Sequence, residues 1–236
     1  MAANDNRTLR IWHGEGAMFQ IHVVNRSNQS GYQRHLNDYF KIRHDIYVGE
    51  RGWHNLARPD GREIDTFDTQ DAIYLLGITR EQNVVAGSRL VPTTRPHLMS
   101  EVFPQLAQDG VLRDPGLYEW TRVFVVPALR EAGRPSRAAG IVYCGIVEFC
   151  LLRKISGLTI VCEPYWYDRL RTIGWTPRRL GSPLNHKDGA IVGLSVSMTK
   201  RALARTRAFY GVTQSVLWQS TSPLGQRASR SSQENT

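Results

Sequence analysis

The chain has 236 residues, 41% of them hydrophobic and 22% charged, with a formal charge of +9. That length holds one ordinary domain rather than two, and the composition excludes both a disordered chain and a membrane protein. The positive charge suits an anionic partner, whether nucleic acid, a phosphorylated cofactor or an acidic carrier protein.

No apolar run nears the roughly 18 residues a membrane helix needs, and Met1 to Gln20 carry no signal-peptide core. A cytoplasmic protein without membrane association is therefore expected. Residues 1–17 are polar and are read as a flexible extension, and the domain is expected over residues 18–212. Met18 to Val24 has strand character, and Tyr32 to Gly49 reads as a helix, with Leu36, Tyr39, Phe40, Arg43 and Tyr47 at three- and four-residue spacing. Arg51 to Gln70 has no clean period and reads as a long functional loop. Strands follow at Ala72–Thr79 and Val84–Pro92, then a short helix around Ser100 to Ala107.

Leu117 to Val126 is the next strand. Ser136 is an expected N-cap for an apolar helix running to about Leu152. Leu158 to Glu163 is a buried strand, Tyr165 to Ile173 a short helix closed by Gly174, and Trp175–Leu180 and Ala190–Met198 further strands. A basic segment runs through Tyr210, and residues 213–236 are read as a polar, disordered tail. Between Arg169 and Arg230 eleven basic residues face one acid, Asp188. A hairpin meander followed by strand–helix–strand units predicts a three-layer α/β domain with a mixed sheet. Cys144, Cys150 and Cys162 form no CxxC pair and read as buried thiols, not metal ligands.

Two constellations could carry chemistry. Val125-Val-Pro-x-x-Arg-x-x-Gly133 leads from a strand into a helix, and backbone amides at such a turn bind pyrophosphate. It is similar to the cofactor loop of GNAT-type acyltransferases, except that Pro135 removes one donor; a plain strand-to-helix turn explains it equally. The second is charge in apolar surroundings: Arg43, Asp65, Asp68, Arg89, Glu119 and Arg122. Such charges must be paired if buried, although exposed cross-strand bridges account for the spacing as well. Alternation puts Glu119 and Thr121 on one face of their strand and Arg122 on the other, unless a bulge intervenes.

These residues resemble the LuxI-type acyl-homoserine-lactone synthases from about Met18 to Met198. Arg43, Tyr47 and Trp53 match the family's N-terminal pattern, with Tyr47 in place of phenylalanine. Glu63, Asp65, Phe67 and Asp68 match its acidic block. Gly87, Arg89 and Leu90 match its Gly-x-Arg-Leu strand, which Phe103 follows. Glu119, Arg122 and Phe124 match its Glu-x-Ser-Arg-x-Phe block, with Thr121 replacing serine.

The resemblance implies a GNAT-like fold with a mostly antiparallel twisted sheet flanked by helices. It implies a two-step reaction as well. The amine of S-adenosylmethionine attacks an acyl thioester, and the methionyl carboxylate then displaces 5′-methylthioadenosine. Both molecules are substrates, with no cofactor and no metal. Glu119 is the expected base, Arg122 and Arg89 its catalytic companions, and Arg43, Tyr47, Trp53, Asp65 and Asp68 the S-adenosylmethionine site. Phe103, Thr121, Phe124 and Trp166 are expected at the acyl group, with core packing the competing explanation for the aromatics. The split of roles among Arg43, Arg89 and Arg122 stays open.

The run from Ile42 to Trp53, Arg58 to Glu63, Val91 to Thr94 and Trp166 look most like the branch using acyl-CoA with branched or aryl groups. Acyl carrier protein is the alternative donor. Two rivals remain: an ordinary GNAT N-acetyltransferase, which leaves Glu63 to Asp68 unexplained, and a nucleic-acid-binding module. The late basic segment has few aromatics (Trp175, Phe209, Tyr210) and no recognition motif, so nucleic acid is not the expected partner.

Overall fold

The computed structural model describes residues 18–131 and 136–219. Its strands are β1 (Gln20–Val24), β2 (Ile73–Ile78), β3 (Val84–Pro92), β4 (Leu117–Val125), β5 (Gly157–Cys162), β6 (Pro177–Arg179), β7 (Leu184–His186) and β8 (Gly189–Ser197). They form one sheet in the order β1-β2-β3-β4-β5-β8-β6, with β7 paired to β8. Every pairing is antiparallel except β4 with β5. Helices cover both faces, so the fold is the expected three-layer α/β sandwich.

One layer is α3 (Arg137–Leu152), started by the Ser136 side chain, which accepts from the Ala139 N–H. Its residues 138–150 are all buried, because one side packs on the sheet and the other meets α5 (Lys200–Tyr210). Gly140 makes the second contact possible: a Cβ there would lie 2.3 Å from the Tyr210 ring. The helix α5 was legible only as a basic segment. The opposite layer is α1 (Gln33–Arg43), which sets Tyr39 against β3 at Gly87; a Cβ on Gly87 would fall 2.5 Å from that ring.

The single helix expected over Tyr32 to Gly49 changes gauge at Arg43 and continues as a wider π-helical turn, His44–Glu50, a feature found often at functional sites. The helix expected at Ser100 to Ala107 is instead α2 (Leu98–Glu101) followed by a separate 3-10 turn at Pro104–Leu106. Past residue 212 the chain runs alongside β1, with Val216 buried and Leu217 bridging Ile21. Residues 1–17, 220–236, Gly133 and Pro135 of the suggested pyrophosphate loop lie outside the described residues.

Two irregularities in the sheet create the site. Strands β4 and β5 pair only at Leu117–Gly157, Tyr118–Leu158 and Glu119–Thr159. Beyond those pairs the strands part as a fork. In β4 the pairing with β3 jumps from Arg89–Thr121 to Gly87–Phe124, so Arg122 and Val123 stand opposite Ser88 alone. Arg122 takes φ 54° at this bulge, which turns its side chain out of the alternation.

Candidate active site

The bulge completes a lattice of three arginines and three carboxylates. Arg43 on α1 donates to Asp68 through both terminal nitrogens, at 2.8 and 3.0 Å, and through Nε to Glu63. Arg89 on β3 donates to both oxygens of Asp65 and, through Nε, to Thr121 Oγ1 at 3.1 Å. Arg122 donates twice to Glu63, at 2.9 Å each, and to Asp65 at 2.8 Å. The Asp65 N–H and the Tyr74 hydroxyl donate to Asp68 as well, and the Phe67 N–H donates to Asp65. Burial alone would raise the carboxyl pKa of Asp65; Arg89, then Arg122 and Arg43, outweigh it and hold the group well below the usual range. Glu63 is lowered as well: burial opposes this, and Arg122 followed by Arg43 prevails. Three buried positive and three negative charges cancel, which is how this ring of ions tolerates an apolar setting.

Beside the lattice opens a cavity of about 800 Å³ reaching into the β4–β5 fork. One wall carries Tyr47 and Trp53, whose rings stack at 5.3 Å, with the Arg122 guanidinium 5.4 Å from the Tyr47 ring. The Tyr47 hydroxyl donates to the Val123 carbonyl at 2.9 Å, which ties the π-helical turn to β4. Asp65, Thr121 and Arg122 line the same wall. The other wall is apolar: Phe103, Ile160, Cys162, Trp166 and Ile191. Trp166 meets Trp120 edge-on at 5.9 Å, and Trp120 leans in turn on Tyr143 and Trp175. Burial pushes the Cys162 thiol up to about 12, so this cysteine acts as an apolar lining group.

Five expected residues stand away from the cavity surface. Glu119 is fully buried, and its carboxylate accepts from the N–H groups of Leu98 (2.8 Å) and Met99 (2.7 Å) and contacts His97 Nδ1 at 3.2 Å. It fastens the start of α2. Arg43, Asp68 and Arg89 are enclosed within the lattice, and Phe124 packs on Tyr39 at 5.6 Å in the core. A buried carboxylate must satisfy its oxygens internally, and these have done so. The sequence reading missed Arg51, Glu163, His186, Lys187 and Asp188 as cavity residues, and named Glu63 only in its motif.

An apolar pocket thus opens at a strand fork, beside a polar and aromatic wall, in an α/β fold of GNAT-like architecture. The sequence model of the autoinducer synthases matches residues 27–205, and the chain belongs to that family. The isovaleryl-homoserine lactone synthase of Bradyrhizobium diazoefficiens is 37% identical over 184 residues, 78% of this chain and 82% of that one. Among solved structures, the CoA-dependent acyl-homoserine lactone synthase BjaI, described with SAM and isopentyl-CoA, superposes with a TM-score of 0.80. It is 35% identical over 85% of this chain and 93% of that one. The CoA-dependent synthase MesI is 44% identical over 84% and 98%, with a TM-score of 0.77.

Proposed function

We propose that this chain makes an N-acyl-L-homoserine lactone from S-adenosylmethionine and a short branched acyl-CoA, releasing 5′-methylthioadenosine. The carrying observation is one cleft with two unlike walls meeting at the β4–β5 fork: aromatic and charged on one side, mainly apolar on the other. The name of the Bradyrhizobium synthase supports a branched acyl group, and that of BjaI a CoA donor.

The nucleoside's cationic methionyl arm belongs on the Tyr47–Trp53 wall, where ring faces attract a sulfonium. The acyl group lies against Ile160, Cys162 and Trp166, with its thioester in the fork. There β4 and β5 have no ladder partners for their facing backbone groups, and such groups can hold the carbonyl oxygen as it gains charge. An α-amine with a pKa near 8 is partly neutral at pH 7, so attack on the thioester carbon needs only water to carry away the proton. The CoA thiolate leaves and takes up a proton. In the second step the carboxylate oxygen attacks the methionyl γ-carbon. The carbon–sulfur bond breaks, and its electrons neutralise the sulfonium as the thioether departs.

Arg122 holds the carboxylate for this second attack. Its side chain retains 9% exposure, whereas Arg43 and Arg89 retain none. Arg43, Arg89, Asp68 and Glu119 act as positioning residues: they fix Asp65, Arg122 and the Leu98–Phe103 segment around the substrates. Both steps consume substrates and call for no further cofactor, and both substrates are available in the cytoplasm. Turnover of purified protein with S-adenosylmethionine and matched isovaleryl-CoA and isovaleryl carrier protein tests the donor. Faster lactone formation with the CoA ester is expected, and equal or faster turnover with the carrier protein overturns it.

A further inference from the structure

The lattice leaves a charge question. The donor brings a sulfonium and an ammonium into the cleft, yet Glu63, Asp65 and Asp68 are already neutralised by three arginines. A different carboxylate must face the incoming cation. Glu163, at the end of β5, lines the cavity with about a third of its side chain exposed. Among the described residues its carboxylate is hydrogen-bonded by Arg51, Nη1 to Oε1 at 2.8 Å. That guanidinium lies 5.4 Å from the Trp53 ring centre and 5.8 Å from that of Tyr47.

Arg51 therefore makes both contacts that a bound sulfonium calls for, an anion and a pair of aromatic faces. It comes from the wall opposite Glu163, immediately after the π-helical turn. Its neighbour Glu50 pairs at 2.6 Å with Arg130, just beyond β4. Consecutive residues thus tie down both prongs of the fork. Asp188 also lines the cavity, but it pairs with His186 beside Phe103 and not with these rings.

Resting on the synthase reading above, we propose that Glu163, Trp53 and Tyr47 form the cation subsite for the methionyl donor, and that Arg51 occupies it until the donor arrives. The donor's positive charge replaces the guanidinium. Loss of the Arg51–Glu163 bridge at the same time frees the mouth of the fork.

Calorimetric titration with S-adenosylmethionine and with 5′-methylthioadenosine, its uncharged counterpart, tests this. Arg51→Met is expected to tighten S-adenosylmethionine binding by about three- to tenfold and to leave 5′-methylthioadenosine within twofold. Glu163→Gln placed in the Arg51→Met background is expected to cancel that gain, again for the charged ligand alone. Both side chains are about a third exposed, so neither change threatens the fold. Weaker S-adenosylmethionine binding by Arg51→Met overturns the placeholder role, as does an equal shift for both ligands. An unchanged affinity on adding Glu163→Gln overturns the anionic subsite. Wild-type protein that binds neither nucleoside overturns the synthase reading itself, and this inference with it.

Discussion

Arg122 and Glu63, 59 positions apart, meet through two hydrogen bonds of 2.9 Å, and they do so because the bulge turns Arg122 to the lattice side of the sheet. Arg122 consequently joins the buried lattice to the cleft. Lysine cannot reproduce the paired contact. Arg122→Lys is expected to slow lactone closure about a hundredfold, more than it slows acylation. Mass spectrometry of single-turnover mixtures should then show N-acylated S-adenosylmethionine accumulating; its absence, with normal lactone yield, removes Arg122 from the second step.

Arg43 tests the lattice itself. Arg43→Met leaves Glu63 and Asp68 short of their partner inside a fully buried setting. Removing one member of a buried ionic cluster costs about 3–5 kcal/mol, read from the urea midpoint. A change under about 1 kcal/mol contradicts the claim that the lattice is buried and mutually compensated.

Glu119→Gln separates a positioning role from that of a base. The amide cannot satisfy the Leu98 and Met99 N–H groups and His97 together as the carboxylate does, so a loss of about 1–3 kcal/mol is expected. The limbs of the kcat/KM pH profile should stay where they are. Disappearance of the acidic limb would restore Glu119 as the proton acceptor.

The acyl group is proposed to end against Trp166, which lines the cavity. Trp166→Ala removes the ring that meets Trp120 at 5.9 Å and extends the apolar end of the cleft. With about 0.8 kcal/mol gained per buried methylene, an eight-carbon acyl-CoA should gain about tenfold or more in kcat/KM over isovaleryl-CoA. An unchanged preference order places the chain elsewhere.

Stability should fall in two stages as the solution is acidified. Burial, followed by the nearby His35, lowers His22 from 6.5 to about 4. Between these values the unfolded chain binds more protons than the folded one, so stability declines as pH falls from 6.5 towards 4. Glu63 and Asp65 are also lowered, so the stability they supply is present above the ordinary carboxylate range and is lost below it. Urea midpoints at pH 7.5, 5.5 and 3.5 should decrease in that order, and His22→Gln should flatten the first interval.

Much of the site could be read from the chain. An arginine within Val84–Pro92 demands a buried acid, and the acidic block at Glu63–Asp68 supplies it. The side taken by Arg122 could not be read, because it depends on one positive φ at a bulge. Nor could the fate of Glu119: its partners are backbone N–H groups of α2, available only after β4 and the preceding loop have packed. Glu163 and Arg51 lie 112 residues apart and become neighbours through the parting of β4 from β5, a tertiary feature without a local pattern. Phe124 shows the opposite case, where core packing was the competing explanation. Its motif position suggested substrate contact, while the space above Gly87 claims its ring for the core.

The stoichiometry of a single reaction bears most directly on the whole account. Purified chain with S-adenosylmethionine and isovaleryl-CoA should release free CoA thiol, isovaleryl-homoserine lactone and 5′-methylthioadenosine in equal amounts. Thiol released without 5′-methylthioadenosine, with the acyl group left on an open-chain amine, would contradict it.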